Sequence, residues 1–317
     1  MRRASTFSGQ SAWACAPWCC HAAWTLLVLA GVTLPAGRTA AEPFGPSQPV
    51  AVETRLIQDL ADGACDEHSF LQAAILASGV TDRSQLSKCE EEFAAALQAW
   101  RPIVATRTGD LACVRTIHRL VHERFLQGRY RADQDNVAEL LESGSHNCLS
   151  ATVLLVAFCR DLGVPAMAVE APGHVLAYLP QADSGMLIES ASPTWRVYPF
   201  PSLTAVQKPG DTQRQFRVLS PTDLIASIYF NRGVHYLEQG RFADALEANK
   251  MALAIDPKCA SARENLLATV NNWAVAVGTS GQVDQALEML EAAQAIAPEF
   301  QPFAANRKYL AGLAGPK

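Results

Sequence analysis

Cys148 lies between a turn-forming run, Ser143-Gly144-Ser145-His146-Asn147, and an apolar stretch over 149–162 whose pattern predicts a helix. A thiol at a helix N-terminus meets exposed N–H groups and the positive end of the helix dipole, and both favour the nucleophilic thiolate. Downstream, Pro172-Gly173-His174 opens a short apolar run of strand type, and Met186-Leu187-Ile188-Glu189 reads as the next strand. A Cys on a helix start, a His on a strand and a carboxylate on the following strand are the parts of a thiol–imidazole–carboxylate triad. The imidazole would pair with sulfur, and the carboxylate on the far ring nitrogen would fix its tautomer. The Cys148 N–H, with a neighbouring donor such as the Asn147 amide, would stabilise an oxyanion. Acyl transfer from an amide or ester through a thioester is the reaction such a set supports. Glu170, at the end of the other strand, is a rival to Glu189. Blander roles stand beside these: Cys148 as a buried or paired thiol, His174 as a core histidine, Asn147 as a helix cap.

Other constellations point elsewhere. His118 and His122 sit four apart on a helix and are followed by Glu123, but the residue after the first His is not the Glu of a zinc-protease helix. A solvated face is expected there, with no metal and no cofactor. His146 lies in the turn before Cys148 and is a substrate-side candidate. The net charge is −5, without a long basic run past the first residues, so the chain carries no nucleic-acid footprint.

The elements that must position the Cys, His and Glu are legible in outline. Arg2 and Arg3, an apolar core over 22–36 and the small residues Thr39-Ala40-Ala41 give residues 1–41 the form of an export signal, cleaved or retained as an anchor. A periplasmic or extracellular location follows from that expectation. A Pro-rich linker over 42–52 leads to helical periodicity from 56 to 100, with Asp66 and Asp82 as caps, and to a helix over 110–126 carrying Val114, Ile117, Val121 and Phe125 on one face. The helix after Cys148 ends at Gly163, and strand-type runs follow at 166–170, 174–179 and 186–189. The order predicts an α+β domain over 53–205, a small antiparallel sheet packed behind the Cys helix. Residues 190–220 read as loops, with a linker over 206–224. In an oxidising compartment Cys65 and Cys89, which flank an apparent helical hairpin, are the preferred disulfide; Cys159, on an apolar helical face, is expected to be an inert buried thiol.

Residues 225–317 are all helical in pattern and internally repeated. Gly233, Tyr236, Gly240, Phe242, Ala245, Ala252 and Pro257 recur in kind as Ala274, Val277, Gly281, Val283, Ala286, Ala293 and Pro298. Their offsets resemble the 34-residue tetratricopeptide repeat, with residues 260–266 inserted between copies and a capping helix over 302–313. Two such repeats bury little alone and are expected to lean on the first domain. Asn231, Asn271 and Asn272 fall on the first helices of the repeats, which line the concave, partner-binding face in such arrays.

The run Asn147-Cys148-Leu149-Ser150-Ala151, the Leu-Gly helix end and Ala171-Pro172-Gly173-His174-Val175 together resemble the transglutaminase-like superfamily, with its papain-like fold. The likeness is to its SirB1-type branch, which also carries C-terminal tetratricopeptide repeats. The resemblance covers about residues 110–195, and loosely 225–317. It implies Cys148 as nucleophile, His174 as base and Glu189 where an Asp usually stands, acting as a thiol-dependent peptidase, amidase or acyltransferase on a protein or peptide. The alternative is a non-catalytic protein that binds peptides in the same cleft and a partner on the repeats.

Overall fold

The computed structural model describes residues 51–181, 184–201 and 216–313. The expected export segment, most of the first linker and residues 206–215 of the second lie outside the described residues. Four helices come first: α1 (Ala51–Leu60), α2 (Phe70–Ala77), α3 (Arg83–Ala105) and α4 (Asp110–Arg124). Asp82 caps α3 by accepting from the Gln85 N–H at 2.8 Å. The α2 cap is Ser69 rather than Asp66: the helix starts at Phe70, and Ser69 Oγ accepts from the Gln72 N–H at 3.1 Å.

Helix α5 (Val137–Ser143) ends at Gly144 with φ +74°, and α6 (Cys148–Asp161) starts after only three more residues. The turn between them is pressed against Gly128: a Cβ there would stand 2.5 Å from the Gly144 carbonyl carbon. Every side chain of α6 from Cys148 to Cys159 is buried, so this helix is the centre of the core. Phe158 packs its ring on Phe93, Trp100 and Phe125.

Behind α6 lies a five-stranded antiparallel sheet of β1 (Met167–Ala171), β2 (His174–Pro180), β3 (Ser184–Ile188), β4 (Val197–Pro201) and β5 (Arg217–Leu219), in the order β4-β3-β2-β1-β5. Ala168, Ala177, Leu179 and Ile188 join the helical core, whereas Val169, Leu176, Tyr178, Leu187 and Phe200 form a smaller cluster. The α+β expectation holds at this level. Strands β4 and β5 correct the reading of 190–220 as loops and of 206–224 as linker. Both are edge strands, and β4 carries Pro199 and Pro201, which edges tolerate because a missing N–H breaks no ladder.

Among the described residues five helices follow: α7 (Pro221–Glu238), α8 (Phe242–Ile255), α9 (Ala260–Thr279), α10 (Val283–Ile296) and α11 (Gln301–Leu313). The extra residues between copies lengthen α9 to 20 residues. Gly233 lets α7 meet α8 closely, since a Cβ there would strike the Asn249 amide at 2.4 Å. The repeat does lean on the first part of the chain: Leu224, Ile225, Ile228 and Tyr229 of α7 and Met251 and Ile255 of α8 belong to the same buried cluster as α2 and α6. Arg232 Nη1 adds a bond to Glu53 Oε1 at 2.7 Å and one to the Ala77 carbonyl at 2.8 Å. The second half has its own core, Ala274, Val277, Leu290, Phe303 and Leu310, closed by α11.

Candidate functional site

Local sequence sets Cys148 on the first turn of α6. Asn147 Oδ1 accepts from the Ser150 N–H at 2.9 Å, and Ser150 Oγ accepts from the Asn147 N–H at 3.0 Å, a reciprocal capping box. Ser150 Oγ then donates to the Gln134 carbonyl at 2.7 Å, tying the helix start to the preceding loop. Asn147 Nδ2 donates to the Ala132 carbonyl at 3.1 Å. Asn147 is thus a cap with its amide engaged at both ends, and this geometry gives no support to it as an oxyanion donor. The Cys148 backbone N–H, on the first turn, has no carbonyl four residues back within the helix to bind.

His174 follows the two-residue turn Pro172-Gly173, which pairs Ala171 with His174 across β1 and β2. Gly173 takes φ +67°, a conformation that side chains resist. On the other side of β2, the ladder to β3 runs through the Ala177–Ile188 pair, and Glu189 is the next residue. His174 Nε2 and Glu189 Oε2 are 2.9 Å apart, both side chains largely buried. Nε2 being occupied by the carboxylate, Nδ1 is the ring nitrogen left to face the Cys148 sulfur, whose side chain acts on the ring.

Burial works against the charge on His174. Interaction with the Cys148 side chain and with the hydrogen-bonded Glu189 carboxylate outweighs it and pushes the imidazole up from 6.5 to about 10. Burial likewise opposes the Glu189 carboxylate, and the His174 hydrogen bond and charge prevail, holding it below its ordinary value. Sulfur, imidazole and carboxylate thus stand in line, with His174 and Glu189 as a charged pair. Glu170 is not part of it: Arg217 Nε takes its Oε2 at 3.1 Å.

Three further histidines surround the acid. His118 Nε2 faces the Glu189 carbonyl at 3.2 Å, His122 Nε2 the Ser190 carbonyl at 2.9 Å, and His146 Nε2 the Ala191 carbonyl at 3.2 Å. All three are buried. This corrects two expectations, a solvated face for His118 and His122 and a substrate-side place for His146. The signal was present: positions 118 and 122 continue the 114, 117, 121, 125 stripe of α4 at helical spacing, so the period put them on the buried face. Among the described residues no group of His, Cys, Asp and Glu could hold a metal ion.

The remaining expected residues do other work. Cys65 and Cys89 are free thiols, so the expected disulfide is not formed. Cys65 Sγ donates to the His68 carbonyl at 3.0 Å, and burial pushes it up to about 11. Cys159 is a buried free thiol. Asn271 is buried, bonding Asn272 at 3.1 Å and accepting from Asn306 Nδ2 at 2.8 Å; it joins the repeat to its capping helix. Asn231 lies half-buried on α7.

Cys148 is itself only 7% exposed. Two cavities, of about 770 and 800 Å³, run along α4 beside Arg115 and Trp195. Among the described residues no helix is long and apolar enough to cross a membrane.

Residues 226–259, most of α7 with α8 and the turn beyond, match the tetratricopeptide repeat family model. The second copy lies outside the matched stretch. No curated protein and no solved structure matches the chain. Repeats of this kind present extended concave surfaces on which protein partners bind.

Proposed function

We propose that the chain is an exported protein of transglutaminase-like type that performs thiol-dependent acyl chemistry on a protein or peptide, with its tetratricopeptide repeat engaging a protein partner. The observation that carries this is geometric: Cys148 opens the first turn of α6, and His174, which its side chain reaches, is held by Glu189 Oε2 at 2.9 Å. In the proposed cycle the thiolate attacks an amide or ester carbonyl, and the Cys148 N–H steadies the oxyanion. His174 then gives its proton to the leaving group. Water or an amine resolves the thioester, giving hydrolysis or transfer.

A second reading, a non-catalytic scaffold that works through the repeat, is favoured by one observation: Cys148 is only 7% exposed.

Alkylation separates the two. Mature protein is treated with iodoacetamide between pH 5 and 9, with Cys148→Ala marking the site and His174→Ala removing the base. The enzyme reading expects Cys148 to alkylate rapidly at pH 6, where an ordinary thiol of pKa about 8.5 is almost all protonated, and to lose that reactivity in His174→Ala. Equal, slow labelling in both sinks it and sends the search to the repeat.

A further inference from the structure

We infer that His118, His122 and His146 are positioning residues for the Cys148–His174–Glu189 set, together clamping the turn after β3 whose first residue carries the acid. The inference rests on the reading of that set as catalytic.

The turn comprises Glu189, Ser190 and Ala191, and its three successive carbonyls each meet one imidazole Nε2. In an extended strand consecutive carbonyls alternate in direction; here the chain leaves the ladder after the Glu189 N–H bond to the Arg196 carbonyl at 3.1 Å, and all three carbonyls meet one row of rings. The row is compact, with ring centroids 4.4 Å apart for His118 and His122 and 6.4 Å for His122 and His146. Trp195 closes its end, edge-on to His118 at 5.2 Å.

Burial is what makes His118 and His122 work as neutral donors. Desolvation lowers His118, and desolvation together with its histidine neighbours lowers His122 to about 4. A neutral ring has one N–H, and a buried carbonyl opposite Nε2 requires it there. Buried carbonyls left without donors are costly, so the turn stays where the rings hold it.

The clamp also reaches the nucleophile. His146 is two residues before Cys148, its own carbonyl accepts from the Arg131 N–H at 2.9 Å, and its one neutral-ring N–H, on Nε2, serves the Ala191 carbonyl rather than the Gly144 carbonyl beside Nδ1. One side chain thus ties the loop that presents the thiol to the turn that presents the acid. The other two anchor that turn to α4. Ala191 N–H completes the circuit by donating to Glu189 Oε1 at 3.3 Å.

The test reads His174 directly, by NMR titration of ¹⁵N-histidine-labelled full chain, with the pH profile of Cys148 alkylation beside it. His122→Phe keeps a ring of similar bulk without the donor; His122→Gln keeps an N–H able to reach Ser190. In His122→Phe the His174 titration is expected to fall by about one unit, tenfold in its protonation equilibrium, and alkylation at pH 7 to slow comparably. His122→Gln is expected to recover most of it. In a Glu189→Gln background His122→Phe should add nothing, because it acts through Glu189. Leu290→Ala, in the distant repeat core, lowers the melting temperature without moving His174 and so controls for simple destabilisation. If His122→Phe does not fold, His118→Phe asks the same question at the Glu189 carbonyl. A folded Phe variant with an unchanged His174 beside an activated wild type overturns the clamp alone. A wild-type His174 that titrates as an ordinary imidazole overturns both the clamp and the catalytic reading.

Discussion

Glu189 grips His174 with one oxygen and its own turn with the other: Oε2 lies 2.9 Å from His174 Nε2, and Oε1 accepts from the Ala191 N–H at 3.3 Å. The added methylene of Glu over Asp has a use in this arrangement. Glu189 is the residue after the last β2–β3 pair, Ala177 with Ile188, while His174 lies three positions further along β2. The carboxylate has to reach along the strand instead of straight across it.

Shortening that reach should therefore loosen the pair. Glu189→Asp is expected to lower the His174 titration partway, and Glu189→Gln further, by at least about one unit, or tenfold. Imidazole NMR reads the shift, and Cys148 alkylation at neutral pH should slow in the same order.

The pair also sets a pH dependence of stability. His174 is raised from 6.5 to about 10 on folding, so its contribution is complete below pH 6.5 and is lost as pH climbs through 10. Glu189 is lowered, so its contribution is present above the ordinary carboxylate value and fades as pH falls through the depressed one. The difference in melting temperature between wild type and His174→Ala should accordingly be largest between the ordinary carboxylate and imidazole values and shrink steadily toward pH 10. A difference that grows with alkalinity would contradict the assignment.

Asp59 offers a test away from the site. Its carboxylate accepts from the N–H groups of Asp66, Glu67 and His68 and from His68 Nδ1, ordering the loop between α1 and α2. Burial opposes its charge, and these bonds prevail, lowering it to about 2. Asp59→Asn should cost about 1–3 kcal/mol in urea unfolding at pH 7. The cost should diminish only as pH falls from the ordinary value of 3.8 toward 2.

Much of this was legible in the sequence because it is local. Turn residues before Cys148, the cap at Asp82, the Pro172-Gly173 turn and the small residues of the repeat each act within a few positions of themselves. What escaped depends on distant partners. His118 and the Glu189 carbonyl are 71 residues apart, and nothing near His118 announces that carbonyl; only the helical period hinted at burial. Strand β5 is three residues long, too short for alternation to show. The Cys65–Cys89 pairing failed for the converse reason: flanking a hairpin in sequence does not bring two sulfurs together, and Cys65 found the His68 carbonyl instead.

The union of the repeat with the first part of the chain can be tested at Arg232, whose partner Glu53 is buried with it. Arg232→Ala leaves that carboxylate and the Ala77 carbonyl without their donor. It should destabilise by about 3–5 kcal/mol, lowering a single cooperative transition in calorimetry rather than splitting off an early melting of α7 and α8.

Only Ser220 separates β5 from α7, and it caps that helix, accepting from the Asp223 N–H at 3.1 Å. A tether of one residue permits no swing. A partner seated on the repeat would stand at a fixed bearing to the thiol, so geometry rather than diffusion would select which of its bonds came within range. The same weld makes the repeat a poor module for exchange: a foreign array grafted at Ser220 would have to restore the faces of Leu224, Ile228 and Tyr229 before the sheet beneath it could close.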